Sequence, residues 1–443
     1  MSRIEEMFEK YHKRLSGIHT MNLTGIVSRA SNVLIESLGP EVHIGELCRL
    51  TTESNKKPVL AEVVGFKDKK TLLMPIADTN GISPKSEVIA TGKPFTVKLG
   101  LSLQGRILDG LGNPIDKKGT INYDEIRFLY NEAPEPLDRP LITECINTGV
   151  RVIDSLMTCG KGQRIGIFAG SGVGKSTLLG KIAKSSSADV NVVALIGERG
   201  REVREFIENN LGVEGMKKSV IVAVTSDRPV VVRLKGAFVA TTIAEYLRDK
   251  GLHVMLLVDS ITRLANAQRE LGLAIGEPPA TKGYTPSVFS VLPKLLERTG
   301  TTSKGSITAM YTVLVDGDDL NEPVSDTVRA ILDGHIILSR KIAAQNHYPA
   351  IDILNSISRC MIDIVSSEHM QAAQRLKTTY AVYKEAEDMI NMGAYTEGRN
   401  HRIDYAVKKY GAILGYLRQS IDEQGKLNED IERLKEMMSD YVW

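Results

Sequence analysis

One segment, residues 164–183, constrains the fold of this chain more than any other part of the sequence. It reads RIGIFAGSGVGKSTLLGKIA: an apolar run ends at Phe168, a glycine-rich turn follows, and the letters GKST begin a helical pattern. A strand, a turn and a helix in this order place backbone N–H groups, a lysine amine and a serine hydroxyl where phosphate oxygens and Mg²⁺ bind. The alternative, a glycine-rich turn without a ligand, is disfavoured by the GKS spacing and by the flanking strand and helix. The segment therefore predicts a phosphate-binding loop.

The residues expected to bind the phosphates are consecutive: Ala169, Gly170, Ser171, Gly172, Val173, Gly174, Lys175, Ser176 and Thr177. We expect Lys175 to reach the β- and γ-phosphate oxygens and Ser176 to coordinate Mg²⁺. Ala169 occupies the position where this motif usually has its first glycine. Glycines remain at positions 170, 172 and 174, so the tight turn is still predicted.

A second apolar run, HVMLLVD, ends in an acid, Asp259. An aspartate at the carboxyl end of a strand beside the phosphate loop can hold the hydration shell of Mg²⁺. The same residue could also serve only as a cap for the helix predicted over Ser260–Leu271. The presence of the phosphate loop favours the metal role.

Hydrolysis needs a group that polarises water, and the segment ALIGERGREVREF offers one. Glu198 and Arg199 follow a predicted strand directly, so they should lie at the same edge of the sheet as the phosphate loop. A carboxylate there can act as a base, and an arginine can compensate charge that develops on the γ-phosphate. The charged run from 198 to 202 could equally be a solvated loop, and the pattern alone does not decide between the two.

The chain divides into regions of different pattern, and a multidomain α/β protein is predicted. Residues 149–367 alternate near-continuous apolar strands with helical stretches, as a parallel sheet covered on both faces requires. Residues 21–97 contain short β-branched runs separated by turn residues, which indicates a small β-barrel or sandwich. Residues 98–148 form a Pro- and Gly-rich connector, and residues 368–443 are helical. An amphipathic helix over 1–20 either packs on its own domain or docks on a partner or a membrane surface.

Composition excludes several classes of protein. The chain has 443 residues with 56 Lys and Arg against 54 Asp and Glu, so no basic excess points to a nucleic acid. No apolar run approaches the ~18 residues of a membrane helix, and the N-terminal letters MSRIEEMFEKYHKR lack the apolar core of a signal peptide. The four cysteines are scattered, so we expect neither a zinc site nor a disulfide framework, and this usage fits a reducing cytoplasm.

The motifs taken together resemble the F1/V-type rotary ATPase superfamily, and more narrowly the flagellar protein-export ATPases and their injectisome relatives. The resemblance rests on AGSGVGKST, GERGRE, LLVDSITRLANAQRE, YPAIDILNSISR and GEPPATKGYTPSVFSVLPKLLERTG, and extends from the β-domain through GRILDGLGNPID to NMGAYTEG. It implies a small N-terminal β-barrel, a central P-loop domain of the RecA/F1 type and a C-terminal helical domain. It also implies ATP and Mg²⁺ as ligands and a homohexameric ring.

The resemblance assigns roles to single residues. The expected site comprises Lys175 and Ser176 on phosphate and Mg²⁺, Asp259 in the Mg²⁺ shell, Glu198 as catalytic glutamate with Arg199 beside it, Arg263 near the γ-phosphate, Tyr348 stacked on adenine, and Arg359 as the finger for a neighbour's site. Asp318 and Asp319 look like paired catalytic carboxylates, but the family analogue is a loop that faces the central stalk. We therefore predict a partner contact for these two aspartates.

Three function classes are open. A homohexameric export ATPase needs both the loop and the finger in one chain, and both are present. For a subunit of an F/V-type ion-translocating ATPase, a non-catalytic chain should lack Glu198, and a catalytic one should carry a DELSEED-like acidic stretch, which 368–400 does not. A ring helicase or transcription terminator would need a basic barrel with aromatic side chains, whereas residues 21–97 contain only Phe66 and Phe95 as aromatics. The first class is favoured.

Within the first class, the segment TCGKGQRIGIFAGSGVGKSTLLG favours the flagellar over the injectisome form. The resemblance then implies a stator-like regulatory protein at the N-terminal segment, a central stalk-like protein, the export gate and export chaperone–substrate complexes as partners. It implies a cytoplasmic location, peripheral to the inner membrane at the export apparatus.

Overall fold

The computed structural model describes residues 23–31, 33–51, 58–315, 317 and 319–441. The helix predicted over 1–20 and Asp318 lie outside these residues. Within the described part of the chain, no helix is long and apolar enough to cross a membrane.

The N-terminal described region is a closed antiparallel barrel of six strands, in the order β1-β2-β5-β4-β3-β6. The strands are β1 Thr24–Ala30, β2 Ile35–Leu38, β3 Glu46–Leu50, β4 Val59–Lys67, β5 Lys70–Pro75 and β6 Glu87–Pro94. Alternate residues of these strands face inward, and Val27, Ile35 and Leu73 are among the buried side chains of its core. The predicted β-domain is therefore confirmed as a barrel, and closure leaves it no unpaired edge.

A second compact unit begins at Thr96. It opens with a two-stranded pair, β7 Thr96–Leu99 and β9 Glu125–Phe128, and contains a second short pair, β10 Cys145–Ile146 with β11 Cys159–Gly160. Its centre is a large, mostly parallel sheet in the order β19-β18-β12-β17-β15-β13-β14-β8, and β16 pairs with β17. These strands are β8 Ile107–Leu108, β12 Arg164–Ala169, β13 Val190–Glu198, β14 Ser219–Thr225, β15 His253–Asp259, β16 Gly300–Thr301, β17 Ser306–Leu314, β18 Gly334–Leu338 and β19 Ile357–Ser358.

The five long strands of this sheet coincide with the apolar runs of the sequence, which confirms the predicted α/β core. Helices cover the sheet, and Val230–Asp249 is buried along most of its length because it packs against β13, β14 and β15. The helices before the C-terminal region are Arg151–Leu156, Lys175–Ser185, Gly200–Glu205, Gly212–Lys217, Val230–Asp249, Ile261–Ile275, Pro286–Leu296, Pro323–Ile331, Arg340–Ala344 and Met361–Ile364, with a π-helical turn at Phe206–Leu211.

The C-terminal region contains three helices, Ser367–Asn391, His401–Leu417 and Leu427–Met437. Buried side chains such as Leu376, Ile413 and Leu434 join the same apolar core as the sheet strands. The predicted helical C-terminus is therefore confirmed, and its helices belong to the same compact unit as the phosphate loop.

Candidate active site

Three of the predicted site residues lie at the carboxyl ends of parallel strands. The phosphate loop follows β12, Asp259 ends β15 and Glu198 ends β13, with β17 between β12 and β15. Parallel strands end at the same edge of a sheet, which is where α/β proteins bind their ligands. Sheet topology thus brings these residues together although long stretches of sequence separate them.

The amine of Lys175 is the centre of the cluster. Lys175 is the first residue of the helix Lys175–Ser185, and Gly174 before it has a positive φ of 88°, which a residue with a side chain adopts only with strain. The amine contacts the carboxylate of Asp259 directly and lies 4.0 Å from Glu198 Oε1. Phosphate oxygens are negatively charged, as these carboxylates are, and can therefore also pair with the Lys175 amine. The amine thus marks where a phosphate would bind.

Asp259 is fixed by a second neighbour. The Thr312 hydroxyl, on β17, donates a 2.8 Å hydrogen bond to Asp259 Oδ1, and both side chains are buried. Sequence reasoning did not identify Thr312, although a threonine inside the buried run SITAMYTVL was a detectable signal.

Glu198 is the acid with the most perturbed environment in the cluster. The residue is only 8% exposed, and its Oε1 has no hydrogen-bond partner among the described residues. Burial raises the pKa of Glu198 to about 7, helped by a hydrogen bond to Glu202 and the negative charge of Asp259. A carboxyl group with a pKa near the working pH, beside a phosphate loop, is suited to accept a proton from water.

Two arginines predicted for this site differ in position. Arg263, on the helix Ile261–Ile275, places Nη2 3.6 Å from Glu198 Oε2, so it belongs to the cluster. The Arg199 side chain is 80% exposed and lies 3.9 Å from the Glu202 carboxylate. The role predicted for Arg199 stays a prediction, because its side chain extends into solvent rather than toward Lys175.

Tyr348 lines a cavity of about 370 Å³ beside the phosphate loop. Its ring is close to the loop: a Cβ on Gly174 would lie 3.6 Å from it. Tyr348 is 43% exposed, so its face is accessible for stacking. Sequence reasoning missed other residues that line this cavity: Lys181, and Gln419, Ser420 and Ile421 from the C-terminal region.

Arg340 is a further residue that the sequence did not single out. A Cβ built on Gly170 would lie 2.4 Å from Arg340 Nε, so the guanidinium lies against the backbone of the phosphate loop. A side chain at position 170 would displace the Arg340 guanidinium from this position.

Arg359 is far from its own phosphate loop. It follows β19 and is exposed; its backbone N–H donates to Asp333, whose N–H in turn donates to Arg164 at the start of β12. The loop follows the other end of β12, five residues on and about 16 Å away at the usual strand rise. Arg359 therefore lies at the opposite edge of the sheet from Lys175.

The loop that contains Asp319 is tied to a neighbouring loop rather than to the cluster. Lys282 Nζ lies 3.2 Å from Asp319 Oδ2, and the Tyr284 hydroxyl donates to Glu322 at 3.2 Å. Both side chains of the Lys282–Asp319 pair are exposed. The partner contact predicted for Asp319 stays a prediction.

The residues present fit a nucleotide and a divalent cation. Three features match the needs of a triphosphate: a buried oxygen of Glu198 with no hydrogen bond to the described residues, an amine held by carboxylates, and a glycine loop at a helix start. The hydroxyl of Ser176 and the carboxylate of Asp259 are the oxygen ligands that Mg²⁺ prefers. Fold and site together define a P-loop nucleotide hydrolase.

Comparison with known proteins agrees with this class and narrows it. Residues 26–92 match the ATP synthase alpha/beta family, beta-barrel domain; residues 149–358 match the nucleotide-binding domain of that family; residues 365–436 match the T3SS EscN ATPase C-terminal domain. The flagellum-specific ATP synthase of Bacillus subtilis is 53% identical over 411 residues, which cover 93% of this chain and 94% of the relative.

Solved structures agree as well. Assembled EscN from the type III secretion system of enteropathogenic E. coli, determined alone and with its central stalk EscO, gives TM-scores of 0.89 and 0.86 at 46% identity, over 93% of this chain and 99% of that chain. This chain belongs to the ATP synthase alpha/beta family, in the branch of the flagellum-specific and type III secretion ATPases. The predicted resemblance, the predicted domain types and the prediction of an ATPase are confirmed.

Proposed function

We propose that this chain hydrolyses ATP in a homohexameric ring and that turnover energises or assists type III export of flagellar proteins through the export gate. The observation that carries the proposal is the cluster of Lys175, Asp259, Glu198 and Arg263 at one edge of the sheet. The segment TCGKGQRIGIFAGSGVGKSTLLG supports the flagellar form. Sequence identity does not separate the two forms, since flagellum-specific relatives are 43–53% identical and type III secretion relatives 46–48% identical. An injectisome secretion ATPase is the second candidate, because the C-terminal match is to EscN.

The phosphate loop and Lys175 bind the triphosphate in this proposal. Backbone N–H groups of residues 170–177 receive the phosphate oxygens, and the Lys175 amine exchanges its contact with Asp259 for the β- and γ-phosphates. Ser176 and Asp259 would hold Mg²⁺, which supplies neutralisation of the phosphate charge. Tyr348 stacks on the base at the far end of the cavity.

Glu198 handles the proton of the attacking water. The water oxygen forms a bond to the γ-phosphorus, the water proton passes to the Glu198 carboxylate, and ADP leaves with the electrons of the broken P–O bond. Arg263 lies beside Glu198, and its charge compensates the negative charge that increases on the γ-phosphate. Arg199, although exposed in a single chain, remains proposed for the same purpose.

Completion of each site by a neighbour is part of the proposal. Arg359 is exposed and lies at the opposite edge of the sheet from its own loop, so its guanidinium would serve the site of an adjacent subunit. The structures of assembled EscN support such a ring, and the complex of EscN with EscO supports a central stalk-like partner. We propose that Asp318 and Asp319 face that stalk.

The remaining partners and the domain division are proposals as well. Residues 1–20 would bind a stator-like regulatory protein, followed by the barrel (21–97), the connector (98–148), the ATPase domain (149–367) and the C-terminal helical domain (368–443). Export chaperone–substrate complexes and the export gate complete the partners. The chain would be cytoplasmic, peripheral to the inner membrane.

The ATPase rate per chain should rise steeply with protein concentration if sites are completed only on assembly. Phosphate release would be measured across concentrations that span the assembly observed by light scattering, with Lys175→Ala protein as the background control. A rate per chain that is constant while the protein passes from monomer to ring would contradict the proposal, because each site would then be complete within one chain.

Export itself separates the flagellar candidate from the injectisome candidate. The gene would be expressed in Bacillus subtilis that lacks its own flagellum-specific relative, and motility would be scored. Restored motility by the intact chain, and none by the Lys175→Ala chain, is the expected result. An intact, hydrolytically active chain that restores secretion only in a strain lacking EscN would favour the injectisome form.

A further inference from the structure

A short segment of the C-terminal region forms one wall of the nucleotide cavity. Residues 418–426, here called the C-terminal strap, connect the helix His401–Leu417 to the helix Leu427–Met437. Gln419, Ser420 and Ile421 of the strap line the cavity together with Gly172, Gly174 and Thr177. The strap has no regular secondary structure of its own, so side chains and backbone contacts from outside must fix its position.

Two hydrogen bonds tie the strap to other residues that line the cavity. The backbone N–H of Gln419 donates to the carbonyl oxygen of Tyr348 at 3.0 Å, beside the stacking ring. The Lys181 amine, on the phosphate-loop helix, donates to the carbonyl oxygen of Ser420 at 2.7 Å. A shift of the strap would therefore change the shape of the base-binding end of the cavity.

One buried side chain holds the strap from behind. Arg151 is 4% exposed, and its Nη1 donates to the carbonyl oxygens of Tyr416 and Arg418, both at 3.1 Å. Its Nη2 contacts the carboxylate of Glu423, and its Nε donates to Asp430 Oδ1 at 2.9 Å.

The backbone N–H of Arg151 also contacts the strap. The Arg151 N–H donates to Gln419 Oε1 at 3.0 Å, while Gln419 Nε2 donates to the carbonyl oxygen of Gly149 at 3.2 Å. The donors of Arg151 thus reach points on both sides of the cavity-lining residues, yet Arg151 does not itself line the cavity.

We propose that Arg151 is a positioning residue for nucleotide binding: it fixes the C-terminal strap as the wall of the base-binding end of the cavity. The inference rests on the proposed ATPase function, since it assigns a determinant of base binding at that same site. A guanidinium is suited to this role because its planar fork can donate to two carbonyls and two carboxylates at once. A lysine keeps the charge but has a single ammonium, so it cannot hold all four partners.

The test compares a ligand that has a base with one that has none. Binding of the fluorescent nucleotide N-methylanthraniloyl-ATP would be measured on the full-length chain, and its displacement by ATP and by inorganic tripolyphosphate would be compared. Arg151→Lys should weaken ATP binding about tenfold, because the strap would no longer be held in its position beside the base. The affinity for tripolyphosphate should stay within about twofold of wild type. KM for ATP should rise while kcat per assembled ring changes little.

Two further variants keep the result interpretable. Glu423→Gln removes one partner of Arg151 at a half-exposed position and should weaken ATP binding by a few-fold, so it decides the question if Arg151→Lys does not fold. Arg106→Lys is the matched control, because Arg106 is also a buried arginine that donates to a carboxylate (Asp116) and a backbone carbonyl (Gly119). All three residues lie in the segment before β12. It should leave both ligands unaffected.

Failure of the role proposed for Arg151 and failure of the proposed ATPase function give different results. The role of Arg151 would be overturned if Arg151→Lys weakened the binding of ATP and of tripolyphosphate equally. It would also be overturned if neither Arg151→Lys nor Glu423→Gln changed ATP binding. A wild-type chain that neither binds N-methylanthraniloyl-ATP nor hydrolyses ATP would instead overturn the proposed function.

Discussion

Glu198→Gln should lower the turnover number by about 10²–10⁴-fold, the usual contribution of a positioned base, while ATP affinity stays within a few-fold of wild type. The substitution keeps the size and hydrogen-bonding capacity of the side chain but removes the carboxylate that accepts the water proton. Steady-state phosphate release and nucleotide binding would be measured in parallel. Glu205→Gln is the matched control, since it changes an exposed carboxylate at the end of the nearby helix Gly200–Glu205, and it should reduce turnover far less.

The raised pKa of Glu198 also predicts how the stability of the Glu198→Gln variant depends on pH. The carboxyl group has a folded-state pKa of about 7 against an ordinary value of 4.5, so its protonated form stabilises the fold below pH 4.5. That stabilisation is lost as pH rises through 7, where the buried carboxylate becomes charged. The Glu198→Gln variant should therefore be more stable than wild type at pH 8, by about 1–3 kcal/mol, and indistinguishable near pH 4.

Both results are needed to assign Glu198 as the base. In wild type, kcat/KM should rise with pH through about 7, because the ionised carboxylate is the active form. A Glu198→Gln variant that hydrolyses ATP within a few-fold of wild type would show that Glu198 is only a buried loop charge.

Arg359→Ala should lose roughly 10³–10⁵-fold in rate, by analogy with other arginine fingers, yet remain able to help a different mutant. Lys175→Ala protein lacks the phosphate-binding amine but retains Arg359, and each variant should be inactive alone. In a mixed ring, some contacts join an intact phosphate loop on one chain to an intact Arg359 on the next. Partial activity should therefore return when the two proteins are combined.

The control for this experiment is a chain that carries both substitutions. Mixed with Arg359→Ala protein, the double variant supplies no intact Arg359 to any loop, so no activity should return. An absence of recovery with the single variants at every ratio, in rings shown by mass to contain both chains, would mean that Arg359 does not act across the subunit contact.

Much of the site could be predicted because its residues follow apolar strands. Asp259 and Glu198 end two buried runs, and the phosphate loop with Lys175 follows a third. Parallel strands end at a common edge, so the proximity of these residues follows from the pattern. The positions of Tyr348 and Arg359 could not be derived in this way, since neither follows a recognisable strand of the sheet core. Those two residues were predicted from the resemblance alone.

The C-terminal strap was not predictable from the sequence. The hydrogen bonds of Gln419 with Arg151 and Gly149 join residues 268 and 270 positions apart, and no motif marks either side. Thr312 and Arg340 were missed for a related reason: each acts by contact with another residue of the site, Asp259 for Thr312 and Gly170 for Arg340. Such partners depend on strand order and loop packing, which local pattern does not specify.

In the proposed ring, the separation of Arg359 from its own phosphate loop gives the assembly a direction. A chain whose two functional edges face opposite ways presents different surfaces to its two neighbours, and head-to-tail contacts of this kind either close into a ring or continue as a filament. An open row of such chains has one complete site fewer than it has members, because the loop at one end receives no arginine. Ring closure completes that last site and removes both free ends. Every interface that holds a catalytic site then has the same orientation around the ring.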